Sequence, residues 1–170
     1  TPTSPEGDNN EGRGIEELMA VKKAKIADMR VRGIDPFPSR TVRRNDCSSV
    51  RPLSVGLTEP MQHSTEKVAI AGRLVELRDM GKSIFGRLAD LSGTAQVYFK
   101  KDALPEDIFA LVKRDLAVGD FLAVSGSVFI TKTGEPTVAA EHAVILAKAI
   151  RPMPEKWHGI TNTEIRYRQR

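Results

Sequence analysis

The spacing of apolar side chains changes along the chain, and each spacing predicts a different kind of secondary structure. Between residues 15 and 33 apolar side chains recur every three or four positions, which is typical of one face of an amphipathic helix. The residues on that face are Ile15, Leu18, Met19, Ile26 and Met29. Gly33, with Pro36 close behind it, favours the end of the helix at that point.

From about residue 66 the spacing becomes two, which is typical of strands that bury one face. Five such stretches are predicted as strands, and they cover residues 68–74, 84–88, 95–99, 119–131 and 137–147. Ser92-Gly93 and Thr133-Gly134 have the composition of tight hairpin turns. Residues 105–116 begin with a proline and predict a short helix between the third and fourth strands.

This order of elements predicts the fold class. Three strands, a helix and two further strands are the layout of a five-stranded OB fold, a small Greek-key barrel. We therefore expect a mainly β protein with an amphipathic helix in front of the barrel. The chain is divided into a disordered leader (1–14), the amphipathic helix (15–33), a loop segment (34–65), the OB-fold domain (66–148) and a linker (149–170).

The charge distribution changes how a nucleic-acid function would have to work. The net charge is +4, but residues 66–148 hold eleven basic and eleven acidic side chains. The excess of positive charge lies outside the predicted barrel, where residues 12–51 hold ten basic and five acidic side chains. Charge alone therefore does not mark the barrel as a phosphate-binding surface, and recognition there must depend on shape and stacking.

Several classes of protein are excluded by composition. A single cysteine, Cys47, rules out a disulfide framework and is typical of a reducing compartment, so we expect a cytoplasmic protein. No run of about 18 apolar residues is present, so no membrane partner is expected. The histidines have no metal-ligand spacing, and no phosphate-binding glycine loop or nucleophile–base pair is present. We therefore expect no catalytic residue, metal or cofactor within these 170 residues.

The alternation of strands two and three predicts which side chains face outward. If Ile84 and Leu88 face the core, then Phe85 and Arg87 share the outer surface with Gln96 on the neighbouring strand. OB folds bind oligonucleotides on this surface. A nucleobase could stack on Phe85, and the amide of Gln96 could read its edge. The alternative is that Phe85 is covered by the N-terminal helix or a loop and that Gln96 is only solvated.

Four stretches resemble class II lysyl-tRNA synthetases in their order and spacing. They are RGIDPFPSR (32–40), VAIAGRLVELRDMGKSIFGRLADLSGTAQVY (68–98), TKTGEPTV (131–138) and RPMPEKWHGITNTEIRYRQR (151–170). The resemblance implies an N-terminal anticodon-binding domain that stops before the catalytic domain, with the last stretch as the connector between the two. It also implies that the lysine tRNA anticodon loop is the partner.

The resemblance implies roles for individual residues. Phe85 matches the aromatic residue that stacks on the central anticodon uridine, and Gln96 matches the glutamine that reads this base. Arg78 matches a basic residue that contacts the anticodon loop, and Glu135 matches an acidic residue near a neighbouring base. Possible contacts to the tRNA backbone are Lys82, Arg87, Lys132, Lys23 and Arg30.

Two positions depart from the family pattern. Many relatives carry two basic residues where this chain has Leu77 and Arg78, so one phosphate contact is expected to be missing. Pro136 follows Glu135 where a residue with a backbone N–H is more usual, and this changes the expected hydrogen bonding of the hairpin.

For the full-length parent the resemblance implies a homodimeric lysine–tRNA ligase that uses ATP and Mg²⁺, whereas these 170 residues alone are expected to be inactive. Two other functions remain open on the residues themselves. One is a sequence-tolerant single-strand-binding OB module. The other is a docking domain that offers its amphipathic helix to a protein partner. The parent itself could also be a fusion with a lipid-lysylating membrane protein.

Overall fold

The computed structural model describes the backbone of residues 8–151 and the side chains of residues 14–151. Its helices are α1 (Asp8–Val31), α2 (Val50–Leu53) and α3 (Glu106–Asp115), with a 3₁₀ turn at Cys47–Ser49. Its strands are β1 (His63–Asp79), β2 (Ser83–Asp90), β3 (Gly93–Lys100), β4 (Phe121–Ile130) and β5 (Pro136–Ala147). The described residues divide into two compact units, residues 8–23 with 150–151 and residues 24–149.

The first helix is longer than its apolar pattern predicts. It begins at Asp8, so the expected disordered leader 1–14 was wrong for residues 8–14, and residues 1–7 lie outside the described part. The difference arises because the first turns carry no apolar periodicity that could have predicted them. Ile26 and Met29, near the end of the predicted apolar face, are buried in the unit formed by residues 24–149.

The strands form a closed barrel in the order β1-β2-β3-β5-β4, which confirms the predicted OB fold. All pairs are antiparallel except β3 with β5, which run parallel and close the barrel. β1 is long because it serves two partners, pairing with β4 through its first half and with β2 through its second half. A register shift between Leu74 and Glu76 bends β1 where it changes partners.

The predicted core positions of the strands are confirmed. Along β2 and β3 every second residue is buried: Ile84, Gly86, Leu88, Ala95, Val97 and Phe99. Together with apolar residues of β1, β4, β5 and α3 they form the barrel interior. The alternate residues of β2 and β3 must therefore face outward, which is the geometry that a surface site requires.

The predicted loop segment 34–65 is more ordered than its composition suggested. It contains the 3₁₀ turn and α2, and its last three residues already belong to β1. Such short helices have no periodicity to detect. The backbone N–H groups of Arg44 and Asn45 both donate to the carbonyl of Ala69 at 3.0 Å, and Asn45 Oδ1 accepts from Ala69 N–H. The segment thereby covers the edge of β1 that β2 leaves open.

The hairpin between β2 and β3 turns one residue earlier than predicted, at Leu91-Ser92, because Asp90 organises it. Asp90 Oδ1 accepts from the backbone N–H groups of Ser92 and Gly93, and Oδ2 accepts from Cys47 N–H at 3.0 Å. Desolvation would raise the pKa of Asp90, but hydrogen bonds from the hydroxyl of Ser92 and from the backbone N–H groups of Cys47 and Ser92 outweigh it and hold the pKa well below its ordinary value.

The predicted linker can be followed for only three residues. Residues 149–151 continue from β5 without regular structure, and the remainder of the predicted linker, 152–170, lies outside the described residues. Within the described part of the chain, no helix combines the length and the hydropathy needed to cross a bilayer.

Candidate nucleic-acid interface

A groove of about 550 Å³ opens on the outer face of β2 and β3, beside the loop that joins β4 to β5. Six of the nine predicted site residues line it: Arg78, Phe85, Arg87, Gln96, Lys132 and Glu135. Lys82 lies outside the lining, in the exposed turn between β1 and β2. Lys23 and Arg30 are exposed positions of α1 that belong to different units of the chain.

Phe85 is half-buried and faces the groove, as the alternation predicts. It sits directly opposite Tyr98 in the β2–β3 register, and the two ring centroids are 4.7 Å apart at an interplanar angle of 33°. Ser83 and Tyr98 share a hydrogen bond of 3.0 Å between their hydroxyl groups. The ring of Phe85 therefore packs against its cross-strand neighbour and presents an apolar surface to the groove.

Arg87, on β2, connects a carboxylate of β1 with a carboxylate in the turn between β4 and β5. Its Nη2 lies 2.7 Å from Glu135 Oε1, and its Nε lies 3.4 Å from Glu76 Oε2. The hydrogen bond to Glu135, with smaller contributions from Glu76, outweighs desolvation and raises the pKa of Arg87. Arg78 also forms an ion pair with Glu76. The charge of Arg87 is thus already compensated within the protein, which makes it a positioning residue for the carboxylates.

Gln96 is held in place by the parallel pairing of β3 with β5. Its Nε2 donates to Thr137 Oγ1 at 2.9 Å, and the Thr137 hydroxyl donates to the backbone carbonyl of Glu135. Gln96 Oε1 accepts no hydrogen bond from the described residues. The orientation of the amide therefore leaves an acceptor for a donor on a bound molecule.

Glu135 occupies a well-formed hairpin in spite of the proline that follows it. Thr131 N–H donates to the Glu135 carbonyl at 3.1 Å, and Glu135 N–H donates to Thr131 Oγ1 at 3.0 Å. Pro136 is the first residue of β5, a position where a missing N–H is tolerated. Gly134, with φ of +81°, completes the turn.

Several residues of the groove were missed by the sequence-based prediction, and two of them are large apolar side chains. Phe129 and Met61 both belong to its lining. Phe129 could have been found, because the alternation that places Val128 in the core places Phe129 on the outer face. Met61 could not, because it precedes β1 in a segment without periodicity and is held there by its N–H bond to the carbonyl of Ile130.

Replacing Glu76 by glutamine tests the ion pairs of the groove. Burial raises the pKa of Glu76, but Arg78 and Arg87 outweigh this effect, and the net pKa is below its ordinary value of 4.5. A carboxylate with a lowered pKa contributes stability that is present above its unfolded-state pKa and is lost as the pH falls through the folded-state value. Because these side chains are partly exposed, Glu76→Gln should lower the free energy of unfolding by less than about 1 kcal/mol near neutral pH.

Urea unfolding over a series of pH values from neutral to acid measures this difference, which should shrink as the pH falls through the folded-state pKa of Glu76 and vanish once both proteins carry a neutral side chain at residue 76. Glu66→Gln is the matched control, since Glu66 is exposed on the same strand and no ion pair is formed by it among the described residues. A difference between the wild type and Glu76→Gln that persists in acid would contradict the assignment.

No group of three or more histidine, cysteine or acidic side chains in the described part of the chain could hold a metal ion. Residues 68–146 match the family model of the OB-fold nucleic acid binding domain. The chain is 40% identical over 156 residues to the lysine–tRNA ligase of Pelotomaculum thermopropionicum, an alignment that spans 92% of this chain and 29% of the relative.

The lysine–tRNA ligases of other bacteria give similar values. Identity is 41% over 155 residues for Dehalococcoides mccartyi strain CBDB1, with 91% of this chain and 31% of the relative aligned. It is 38% over 157 residues for Enterococcus faecalis, with 92% of this chain and 31% of the relative aligned. The chain therefore spans less than a third of the length of the curated relatives that it matches.

Proposed function

Since this chain belongs to the OB-fold family of anticodon-binding domains found in lysine–tRNA ligases, we propose that it recognises the anticodon loop of lysine tRNA. The observation that carries the proposal is the half-buried ring of Phe85 on the floor of an open groove. An apolar aromatic ring that opens onto a solvent-facing groove lined by further apolar side chains is suited to a flat apolar partner. An unpaired nucleobase has that shape and stacks on aromatic side chains.

Gln96 reads the edge of the base that stacks on Phe85. Its Nε2 is engaged by Thr137, so Oε1 is the atom available to a donor on the base. The imino N–H of a uridine is such a donor. A cytidine offers no imino proton at that position in its ordinary form, which gives the groove a means of discrimination. The central uridine of the anticodon is therefore the base that we assign to Phe85 and Gln96.

Glu135 and Arg78 act on the flanks of this base. Glu135 is held by Arg87 at the edge of the groove, where its carboxylate accepts from a neighbouring base. Arg78 is exposed and paired only with Glu76 among the described residues, so it can exchange this partner for the RNA. Lys82, Lys132, Lys23 and Arg30 supply attraction to phosphates that does not depend on base sequence.

The proposal extends to the complete protein. Its remaining part would carry a lysine–tRNA ligase activity that uses ATP and Mg²⁺, act in the cytoplasm and form a homodimer. We assign that chemistry to the part of the protein outside this chain, because the chain aligns with only 29% of the length of the Pelotomaculum thermopropionicum lysine–tRNA ligase. This chain alone is expected to bind tRNA without aminoacylating it.

The test is the affinity of this chain for a labelled stem-loop with the lysine tRNA anticodon, compared with a loop whose central uridine is replaced by cytidine. Phe85→Ala should weaken binding of the native loop about 5- to 100-fold, because stacking contributes about 1–3 kcal/mol per base. The altered loop should bind the wild type more weakly, because it lacks the contact to Gln96, and Phe85→Ala should weaken it further by a similar factor, because a cytidine also stacks on Phe85. Phe121→Ala is the matched control, because Phe121 is also a partly exposed phenylalanine of the barrel but lies outside the groove lining.

Other outcomes would overturn the proposal. Equal binding of both loops, with a strong dependence on salt alone, would support a sequence-tolerant single-strand-binding module. Loss of binding in Phe85→Ala with no preference between the loops would remove the role of Gln96 but keep the stacking role of Phe85. No binding to either loop would leave RNA recognition without support and favour a protein partner.

A further inference from the structure

Phe85 is the first member of a continuous row of aromatic rings on the outer face of the barrel. Its ring lies 4.7 Å from Tyr98, Tyr98 lies 5.8 Å from Phe129, and Phe129 lies 5.3 Å from His63, measured between ring centroids. The row crosses from β2 to the start of β1. Only its first half has a role in the proposed recognition of the central anticodon base, and Phe129 and His63 are unaccounted for.

Phe129 is buried without belonging to the barrel interior. It is only 2% exposed, yet it lies on the face of β4 opposite to the interior residue Val128. Its ring is covered on one side by Tyr98 and on the other by His63. The buried ring of Phe129 therefore packs against both Tyr98 and His63 and stabilises the positions of these two rings.

His63 is the end of the row and is held in a defined orientation. It is the first residue of β1, pairs with Phe129 in the sheet, and stacks on it at an interplanar angle of 23°. Its Nδ1 shares a hydrogen bond of 2.8 Å with Ser127 Oγ. Nevertheless the residue is exposed to solvent. The imidazole of His63 is therefore held by Ser127 and Phe129 and is still accessible to a stacking partner from solvent.

We propose that His63, which lies beyond the lining of the groove at the end of the aromatic row, is a second stacking position for another unpaired nucleobase of the same loop. This inference rests on the proposed recognition of an RNA loop by the groove. Histidine stacks on unpaired bases in the same way as other aromatic side chains, and stacking tolerates any base. The second position therefore contributes affinity and fixes the path of the loop, while Gln96 and Glu135 carry the preference for sequence.

The structural alternative is that His63 only shields Phe129 from water. The two roles differ in what an RNA without the second base would do. If His63 stacks on a base, removing the histidine and removing that base eliminate the same contact, so the two losses do not add. If His63 only shields Phe129, the variant loses stability, and its effect on binding is the same for every loop.

The experiment measures the affinity of this chain and of His63→Ala for anticodon stem-loops in which each loop nucleotide in turn is made abasic. We expect His63→Ala to weaken binding of the intact loop about 5- to 10-fold, near the lower limit for a stacked base. One abasic loop, different from the one that cancels the effect of Phe85→Ala, should bind both proteins equally. His63→Phe should restore binding, because it keeps the stacking surface without the hydrogen bond to Ser127.

His142→Ala is the matched control, since His142 is an exposed histidine of β5 whose ring, unlike that of His63, contacts no aromatic ring among the described residues. Thermal unfolding of each variant identifies any loss of folded protein. A uniform effect of His63→Ala on all abasic loops, or no effect at all, would overturn the inference while a normal response to Phe85→Ala keeps the proposed function. If Phe85→Ala is also without effect, the proposed function itself fails.

Discussion

Lys148→Met is expected to lower the free energy of unfolding by about 3–5 kcal/mol, the usual cost of removing one partner from a buried ion pair. Lys148 is 7% exposed, and its Nζ lies 2.5 Å from Asp120 Oδ2 and also donates to the backbone carbonyl of Asp115. Asp120 is 1% exposed, so its charge would remain in the interior without a compensating cation. Urea unfolding of the variant beside the wild type measures the loss.

A second substitution separates the charge from the packing. Asp120→Asn in the Lys148→Met background removes the stranded charge and should recover part of the lost stability. The recovery is incomplete, because Ala117 N–H and Ala149 N–H donate to different oxygens of Asp120 and asparagine keeps only one acceptor oxygen. Lys101→Met, at an exposed turn, is the control and should change stability little. A Lys148→Met variant as stable as the wild type would show that the ion pair does not stabilise the contact between the end of β5 and the start of β4.

Gly126→Ala is expected to destabilise the barrel by about 3 kcal/mol or more, at the upper end of the cost of overpacking. A Cβ at this position would lie 1.8 Å from the backbone carbonyl oxygen of Ala139 and 2.9 Å from its carbonyl carbon. The obstacle is backbone of the neighbouring strand, which cannot rotate away as a side chain can. β4 and β5 also shift register between Ser125 and Gly126, and the backbones of the two strands approach each other closely at this irregularity.

Thermal or urea unfolding of Gly126→Ala and of Ser125→Ala makes the comparison within one strand. Ser125 is half-buried, and its side chain forms no hydrogen bond to the described residues, so its variant should stay within about 0.5 kcal/mol of the wild type. A tolerated Gly126→Ala would mean that β5 can move away from β4 without loss of the barrel, contrary to the close approach seen here.

The groove has consequences for how binding should depend on salt. Its lining holds the basic residues Arg78, Arg87 and Lys132 and the acidic residues Glu76 and Glu135, and four of these five are paired with each other. A surface of this kind attracts phosphates weakly. Specific binding in the proposed function must therefore come from stacking and hydrogen bonds in the groove, with the salt-dependent part supplied by lysines at its edge and beyond.

The spacing of apolar residues was sufficient to predict the strands, the helix between β3 and β4, and the outer face that carries Phe85 and Gln96. Each of these follows from local pattern, because a strand with one buried face must alternate and a hairpin must set its two strands side by side. The resemblance to lysyl-tRNA synthetases added Arg78 and Glu135, which no local pattern could have selected. Local pattern failed where periodicity was absent, as in the first turns of α1.

Other features depended on the tertiary structure. The parallel pairing of β3 with β5 brings Thr137 to Gln96, and closure of the barrel by β4 and β1 brings His63 onto Phe129. The ion pair of Lys148 with Asp120 likewise joins the residue that follows β5 to the residue that precedes β4. These contacts join residues that are distant in sequence, and their distances are set by barrel closure, which the alternation within a single strand does not encode. The sequence by itself therefore determined which residues face the solvent, and only the closed barrel decided which of them meet.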